Sequence, residues 1–197
     1  MANFQAALAL VLKAEGGYQN DARDSGNRNS RGELVGTNYG ISAPVYEAWI
    51  GRPPTIADMR NMTRAAAGEI YRDRYWNRVR GDDINDQPIA NLIFDGTVNH
   101  GVSRGVKMVQ KVLNIRQDGV FGTQTLAAVN AAIPAALYNA IKTERIRFYR
   151  QIAKNDNAAF LQGWLNRMEK FKDYAAPVGG AALIAAAAVT APFWWKK

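Results

Sequence analysis

Apolar residues recur at helical spacing through most of the chain. Phe4, Ala7, Leu8, Val11 and Leu12 fall three and four apart, predicting a first helix from Phe4 to Ala14 that Gly16-Gly17 end. From 18 to 38 the pattern gives way to a polar stretch rich in Asn, Asp, Ser, Arg and Gly. This predicts a loop with a short irregular hairpin around Arg31-Gly32-Glu33. Ser42 is placed to cap a helix holding Pro44, Val45 and Trp49, Pro53-Pro54 breaks it, and a short helix follows Thr55. Thr63 caps a longer helix to about Val79, with Ile70, Tyr71 and Tyr75 inward.

Gly81 to Gln87 has the composition of a linker. Pro88 then opens a helix with Ile89, Leu92, Ile93 and Val98, and Ser103 caps the next, with Val106, Val109, Gln110 and Leu113. Asp118 to Gly122 is a tight turn, after which Thr123 caps a short helix. Pro134 suits the first turn of a helix to about Ile152, and Phe160, Leu161, Trp164, Leu165, Met168 and Phe171 mark a last one. Trp49, Trp76 and Trp164 have apolar neighbours and are expected in the core or at an interface. No run of alternating positions predicts strands. The expectation is one mainly helical body over 1–173, with one polar excursion after the first helix.

The two ends read differently. The N-terminus has no basic region before its apolar residues, and Lys13 and Glu15 follow at once, so no signal peptide is expected. From Tyr174 to Trp195 there are 22 uncharged residues, then Lys196-Lys197. Roughly 20 residues span a bilayer, and Trp194-Trp195 beside two lysines fit an interfacial anchor. Alanine dominates the segment, with Pro177, Gly179, Gly180 and Pro192 interrupting it. A membrane segment, a buried helix and an alanine-rich tail all stay open as readings.

Composition narrows the chemistry. Hydrophobic residues are 48 % of 197, which excludes a disordered or fibrous chain. There is no cysteine, and His100 is the single histidine, so thiol nucleophiles, His-cluster zinc sites and a Ser-His-Asp triad away from that residue are excluded. Carboxylates, hydroxyls and amides remain. Lys plus Arg is 25 against 17 Asp plus Glu, a net +8 that suits nucleic acid, anionic lipid or an anionic wall glycan. It equally suits a merely solubilising surface. Nucleic acid is not expected, because no recognition-helix signature, zinc site or dense basic run accompanies the charge.

Glu15 lies between an apolar helix and two glycines. A helix C-terminus and apolar surroundings both disfavour a carboxylate's charge, which suits a general acid for a glycosidic oxygen. Asp21 and Asp24 follow in the loop, where folding back can present a second carboxylate, the minimum for most glycoside hydrolysis. Thr37 is a neutral hydroxyl able to hold a water. The ordinary alternative is equally plain: loop aspartates form turns, and a helix-end glutamate is solvated.

Glu15-Gly16-Gly17-Tyr18, Asn20-Asp21, Asp24 and Thr37-Asn38-Tyr39-Gly40-Ile41 together resemble the glycoside hydrolase family 108 N-acetylmuramidases, lysozyme-like endolysins and secretion activators. The resemblance implies that Glu15 is the catalytic acid, with Asp24 nine residues on and Thr37 beyond. It also implies a cleft lined by the Asn-Asp pair and the Thr37 to Ile41 segment. The insert from Asn27 to Val35 separates Thr37 from Asp24 more than in shorter members, and one glycine, Gly26, stands where the family often has several. Phe94 to Gly101, Gln110 to Leu113 and Asp118 to Leu126 resemble the associated predicted peptidoglycan-binding region. The implied fold is mainly α, of the α+β lysozyme-like kind: a helical body, a small irregular hairpin or loop lobe after helix one, and the hydrophobic C-terminal segment. The catalytic part is 1–87 and the peptidoglycan-binding part 88–173 of the same body, with 174–197 as the tail.

The implied substrate is the β-1,4 bond between N-acetylmuramic acid and N-acetylglucosamine of bacterial peptidoglycan. Glu15 protonates the leaving oxygen, and Asp24 either activates a water with Thr37 or stabilises the developing positive charge. A carboxyl separation of about 6.5–9.5 Å would mean inversion and about 5–5.5 Å retention. Tyr18, Asn38 and Tyr39 are placed to bind sugar, although Tyr39 fits ordinary packing nearly as well. Asp21, Asn99 and Gln110 are further substrate-binding candidates, Asn99 sharing a helix face with Asp95. His100 is assigned no role. No metal or cofactor is expected, and the protein is expected to be a monomer. It would be made in the bacterial cytoplasm and act on the wall, with anionic-membrane contact through 174–197. A lytic transglycosylase, a non-hydrolytic peptidoglycan-binding or secretion-assisting protein and a membrane-acting tail are the alternatives.

Overall fold

The first helix occupies the expected residues. α1 (Phe4–Ala14) buries Phe4, Ala7, Leu8 and Val11, the face marked by the apolar repeat. The computed structural model describes residues 1–14, 17–153, 158–172 and 174. After the polar segment come α2 (Ala43–Ile50), α3 (Ile56–Arg60) and α4 (Arg64–Tyr71). Thr55 and Asp58 close a reciprocal capping box on α3, and Thr63 accepts from Ala66 N to cap α4. Ser42 precedes α2 without a side-chain cap; Pro44 in the first turn carries no N–H that would need one.

The helix expected from 63 to 79 changes pitch. α4 runs into a π-turn, Arg72–Trp76, and then a 3₁₀ turn, Asn77–Val79. At its end Trp76 is fully buried, packing on Phe4 at 5.6 Å and edge-on to Phe94 at 5.5 Å. Its indole N–H donates to Asp82 (2.9 Å). The chain can pass over that ring because residue 81 is glycine; a Cβ there would run into the Trp76 ring.

α5 (Gln87–His100), capped by Asp86, is the central helix. Its residues from Leu92 to Thr97 are all buried, as expected of a helix covered on every side. α1, α6 (Val102–Val112) and α8 (Pro134–Ile152) pack against it. Gly105 permits the α5–α6 approach, since a Cβ there would lie 3.0 Å from Thr97. α7 (Thr123–Ala131) follows the tight turn, and α9 (Leu161–Glu169) packs on α8. The helix starts near Ser103 and Thr123 differ slightly from expectation, with Gly101 and Gly122 in the capping positions. Beyond α9, Tyr174 donates to Asp86 (2.6 Å), returning the chain to the start of α5.

A buried charge cluster ties the helices of this core together. Asp95 on α5 receives Arg145 of α8 (2.6 Å) and Arg167 of α9 (2.7 Å), tying three helices. Burial alone would raise its pKa; the two guanidiniums outweigh that and hold it below the ordinary carboxylate range.

Two expectations are corrected. The α+β lysozyme-like architecture is absent: the described residues are predominantly α-helical with no sheet. Their β pairings are isolated bridges, Gln19 with Thr37, Arg28 with Leu34 and Asn38 with Ile41. The polar excursion has no alternating apolar face to bury, so single residues pair where runs would be needed for strands. The hydrophobic membrane segment also goes unsupported. Residues 175–197 lie outside the described residues, and no described helix is long and apolar enough to cross a membrane. Trp49, expected in the core or at an interface, is 37 % exposed.

Candidate functional site

The polar loop after α1 is held shut at its base. Gln19 N donates to Thr37 O (2.9 Å) and Thr37 N to Gln19 O (2.8 Å), so the two ends of the excursion exchange backbone bonds. Gly36 lies between Thr37 and the loop at φ +92°. A Cβ there would stand 2.6 Å from both Gln19 O and the Tyr18 ring. The glycine is therefore required twice, by its backbone angle and by the close approach.

Asn27 is the hub of the closed loop and is fully buried. Its side-chain nitrogen donates to Gln19 Oε1 (2.8 Å) and Asp21 O (2.9 Å), while Gln19 Nε2 donates to Asn27 Oδ1 (3.1 Å). Its backbone carbonyl accepts from Val35 (2.8 Å) and Gly36 (2.9 Å). With no sheet to pair the backbone, amide side chains satisfy it.

This frame sets the candidate residues. Asp24 is exposed and caps the 3₁₀ turn Ser25–Asn27, its Oδ1 accepting from Gly26 N (2.8 Å). Among the described residues its Oδ2 has only Gln19 Nε2, at 3.5 Å, leaving that oxygen open to solvent chemistry. Asp21 is committed to Arg23 at 2.6 Å; hydrogen bonds from the Arg23 side chain and backbone bring its pKa down to about 2. Tyr18 is half-buried, donating to Val35 O (3.0 Å), with the Arg60 guanidinium 4.9 Å above its ring. Thr37 is half-buried beside Gly36.

Asn38 and Tyr39 continue from Thr37 but are occupied structurally. Asn38 is buried and donates to Met59 O (2.8 Å) at the end of α3. Tyr39 (φ +49°) and Gly40 (φ +73°) form the centre of a tight turn closed by Asn38 and Ile41. Tyr39 O accepts from Tyr71 OH (3.0 Å) on α4.

Asn99 and Gln110 belong to other neighbourhoods. Asn99 donates to Asp95 O (2.6 Å) within its own helix. Gln110 is buried, and its amide is spent on the turn before α7: Nε2 donates to Asp118 Oδ1 (2.8 Å), Val120 O (3.0 Å) and Thr125 Oγ1 (3.1 Å), and Oε1 accepts from Gly119 N (2.9 Å). In this geometry the Gln110 amide clasps the turn before α7. Glu15 lies outside the described residues; it directly follows Ala14, the last residue of α1.

Gln19, Asn27 and Arg60 were not singled out by sequence reasoning. Their signal was only that a long polar loop without strands must supply its own partners. Among the described residues no group of three or more His, Asp or Glu side chains is arranged to hold a metal ion.

Comparison with known proteins adds the following. Residues 8–101 match the model of the family described as Glycosyl hydrolase 108, and residues 104–169 that of the Predicted Peptidoglycan domain. The boundary between the two matches falls at the α5–α6 turn. The chain is similar to the solved structure of Brucella abortus SagA, with 33 % identity, a TM-score of 0.74, and coverage of 85 % of this chain and 90 % of that one. No curated protein matches.

Proposed function

Because this chain belongs to the glycosyl hydrolase 108 family and carries an adjoining peptidoglycan region, we propose that it is a muramidase of the endolysin kind. It hydrolyses the β-1,4 bond between N-acetylmuramic acid and N-acetylglucosamine. Peptidoglycan is its partner, and its work lies at the cell wall, outside the cytoplasm.

In this reading Glu15 is the general acid. It follows the C-terminus of α1, where the helix dipole disfavours a carboxylate and keeps a proton available for the leaving oxygen. Asp24 is the second carboxylate. Of the two loop aspartates it keeps an oxygen with no close partner among the described residues, whereas Asp21 is neutralised by Arg23. Thr37 is the water-positioning hydroxyl, and Tyr18 lies one residue before the loop clamp. Asp24 acts on water, or on the oxocarbenium-like charge, from the face opposite the acid.

The observation that carries this assignment is the Gln19–Thr37 exchange. It draws Thr37 back across the Asn27 to Val35 insert, so that a threonine far from Glu15 in sequence stands beside the segment immediately after it. The Asn27–Gln19 amide pair holds the Asp24 turn to the same clamp.

The test is mass spectrometry of the soluble products released from purified peptidoglycan by wild type and by Glu15→Gln. The expected products are muropeptides with a reducing N-acetylmuramic acid end, absent with the variant. Anhydro-muramic ends would instead make the enzyme a lytic transglycosylase. A folded wild type that releases nothing would overturn the hydrolytic reading and leave wall binding.

A further inference from the structure

Arg60 is the last residue of α3, and its place beside the polar loop is fixed from two sides. Its backbone carbonyl accepts from Asn38 Nδ2 at 3.4 Å, and the Met59 carbonyl before it accepts from the same nitrogen at 2.8 Å. Asn38 is buried and directly follows Thr37, so the end of α3 is tied to the segment that the Gln19–Thr37 exchange draws back. From this anchor the side chain reaches over the Tyr18 ring, with its guanidinium carbon 4.9 Å from the ring centre. The ring is itself held. Its hydroxyl donates to Val35 O (3.0 Å), and the chain at Gly36 lies against it.

What Arg60 lacks is an acceptor. It is exposed, and among the described residues neither a carboxylate nor any other oxygen takes its N–H groups. The neighbouring charges are already matched. Asp58, two residues before it, holds both terminal nitrogens of Arg52 at 2.8 Å and closes the α3 capping box. Asp21 is closed on Arg23 at 2.6 Å. An aromatic ring attracts a guanidinium through its π face but supplies no lone pairs, so the planar N–H fork stays available for a two-oxygen acceptor.

A fork pinned in this way, beside the segments that carry Tyr18 and Thr37, suits a carboxylate on the glycan. N-acetylmuramic acid differs from N-acetylglucosamine by a lactyl group that ends in a carboxyl. That carboxyl is free on the bare sugar and amide-linked on a substituted one, where the stem peptide brings carboxylates of its own. We propose that Arg60 is a specificity-determining residue, pairing with a carboxylate on the muramic sugar or its stem and so setting which sugar lies beside Tyr18. This rests on the hydrolytic reading above and adds to it a group that reads charge where the two sugar rings are alike. It also gives Tyr18 a part in recognition as the support of that guanidinium.

The test is a cycle between residue and ligand. Soluble glycan chains are prepared with their stem peptides and, separately, stripped of them by an amidase, and part of each has its carboxylates converted to primary amides. Titration calorimetry gives the affinities of the full chain carrying Glu15→Gln, which keeps the ligand intact, with Arg60 and with Arg60→Gln. With Arg60 in place, amidation is expected to weaken binding by about tenfold, the order of one charge-assisted pair. With Arg60→Gln, the native chains should bind as weakly as the amidated ones, and amidation should cost nothing more. The effect seen with stripped chains identifies the lactyl carboxylate; seen only with stem-bearing chains, it identifies a carboxylate of the stem. Native chains that fail to bind, an amidation that costs the Arg60 protein nothing, or a cost that is the same with Arg60→Gln each overturn the proposal. If wild type releases no products from peptidoglycan yet the cycle shows the coupling, carboxylate recognition by Arg60 stands and the hydrolytic reading falls. Products released without the coupling keep the hydrolytic reading and remove Arg60 from it.

Discussion

Gly36 bears on the proposed activity without touching substrate. Its positive φ and its lack of a Cβ let the chain before Thr37 lie against the Tyr18 ring and the Gln19 carbonyl. Gly36→Ala is expected to push the Gln19–Thr37 pair apart. A displacement of about 1 Å at a catalytic group costs about a hundredfold in rate, so peptidoglycan turnover should fall by that order while helical circular dichroism is kept. Unchanged turnover would show that the clamp does not position the catalytic groups. At this scale the sequence marked Gly36 only as one residue of a polar loop. Its requirement comes from the Tyr18 ring and the Gln19 carbonyl, neither of which its own neighbours in sequence specify.

Among the elements, the turn before α7 shows how a side chain read as a binding group serves a fold. Asp118 to Gly122 has the composition of a tight turn, and it is one. What sequence could not show is that Gln110, eight residues earlier on α6, makes its bonds. Gln110→Ala would strand Gly119 N–H and the groups that its amide serves. The expected cost is about 2 kcal/mol, read as a lower urea midpoint, with the soluble-glycan rate of the folded fraction unchanged. A rate loss without a stability loss would return Gln110 to substrate binding. α4 carries the same lesson: its apolar spacing predicts one helix to Val79, but seating Trp76 between Phe4 and Phe94 comes with a π-turn.

Across the whole molecule, acid sensitivity begins with His100 at the junction of α5, α8 and α9, above the range in which Asp95 and the other carboxylates held low by their partners, Asp21, Glu47, Asp58, Asp118 and Glu144, take up protons. Burial pushes the His100 ring down to about 4, with Arg145 next in effect, Arg104 and Arg167 adding to it and Asp95 opposing. The unfolded chain takes up that proton near pH 6.5, whereas the folded chain does not. Stability from this source is full above that pH and falls as pH drops toward about 4, by about 3 kcal/mol in all. Asp95 has the opposite chemistry and a lowered folded pKa, so its contribution is lost only at pH values below about 4, as the carboxylate is protonated. Chemical unfolding across this range should show the His100 loss above that of the carboxylates, and His100→Gln should remove it alone. A profile insensitive to His100 would contradict the assignment.

The sequence by itself determined where most of the helices lie. Apolar spacing, capping residues and prolines are local signals, and they delivered α1, α8, the short helix after Thr55, the cap at Thr63, and the polar loop that holds Asp24 and Thr37. It also determined the family, because a Glu-Gly-Gly-Tyr run with an aspartate nine residues on is written in order along the chain. Tertiary structure decided which polar residues are free. Asn38, Gln110 and Asp95 look alike in sequence to residues that bind ligands, but each is consumed by a partner 8 to 72 positions away. It decided against a sheet as well, because the loop's backbone found Asn27 and Gln19 before it found a second strand. A buried amide must be satisfied wherever the chain brings a partner, and no local pattern encodes that distance.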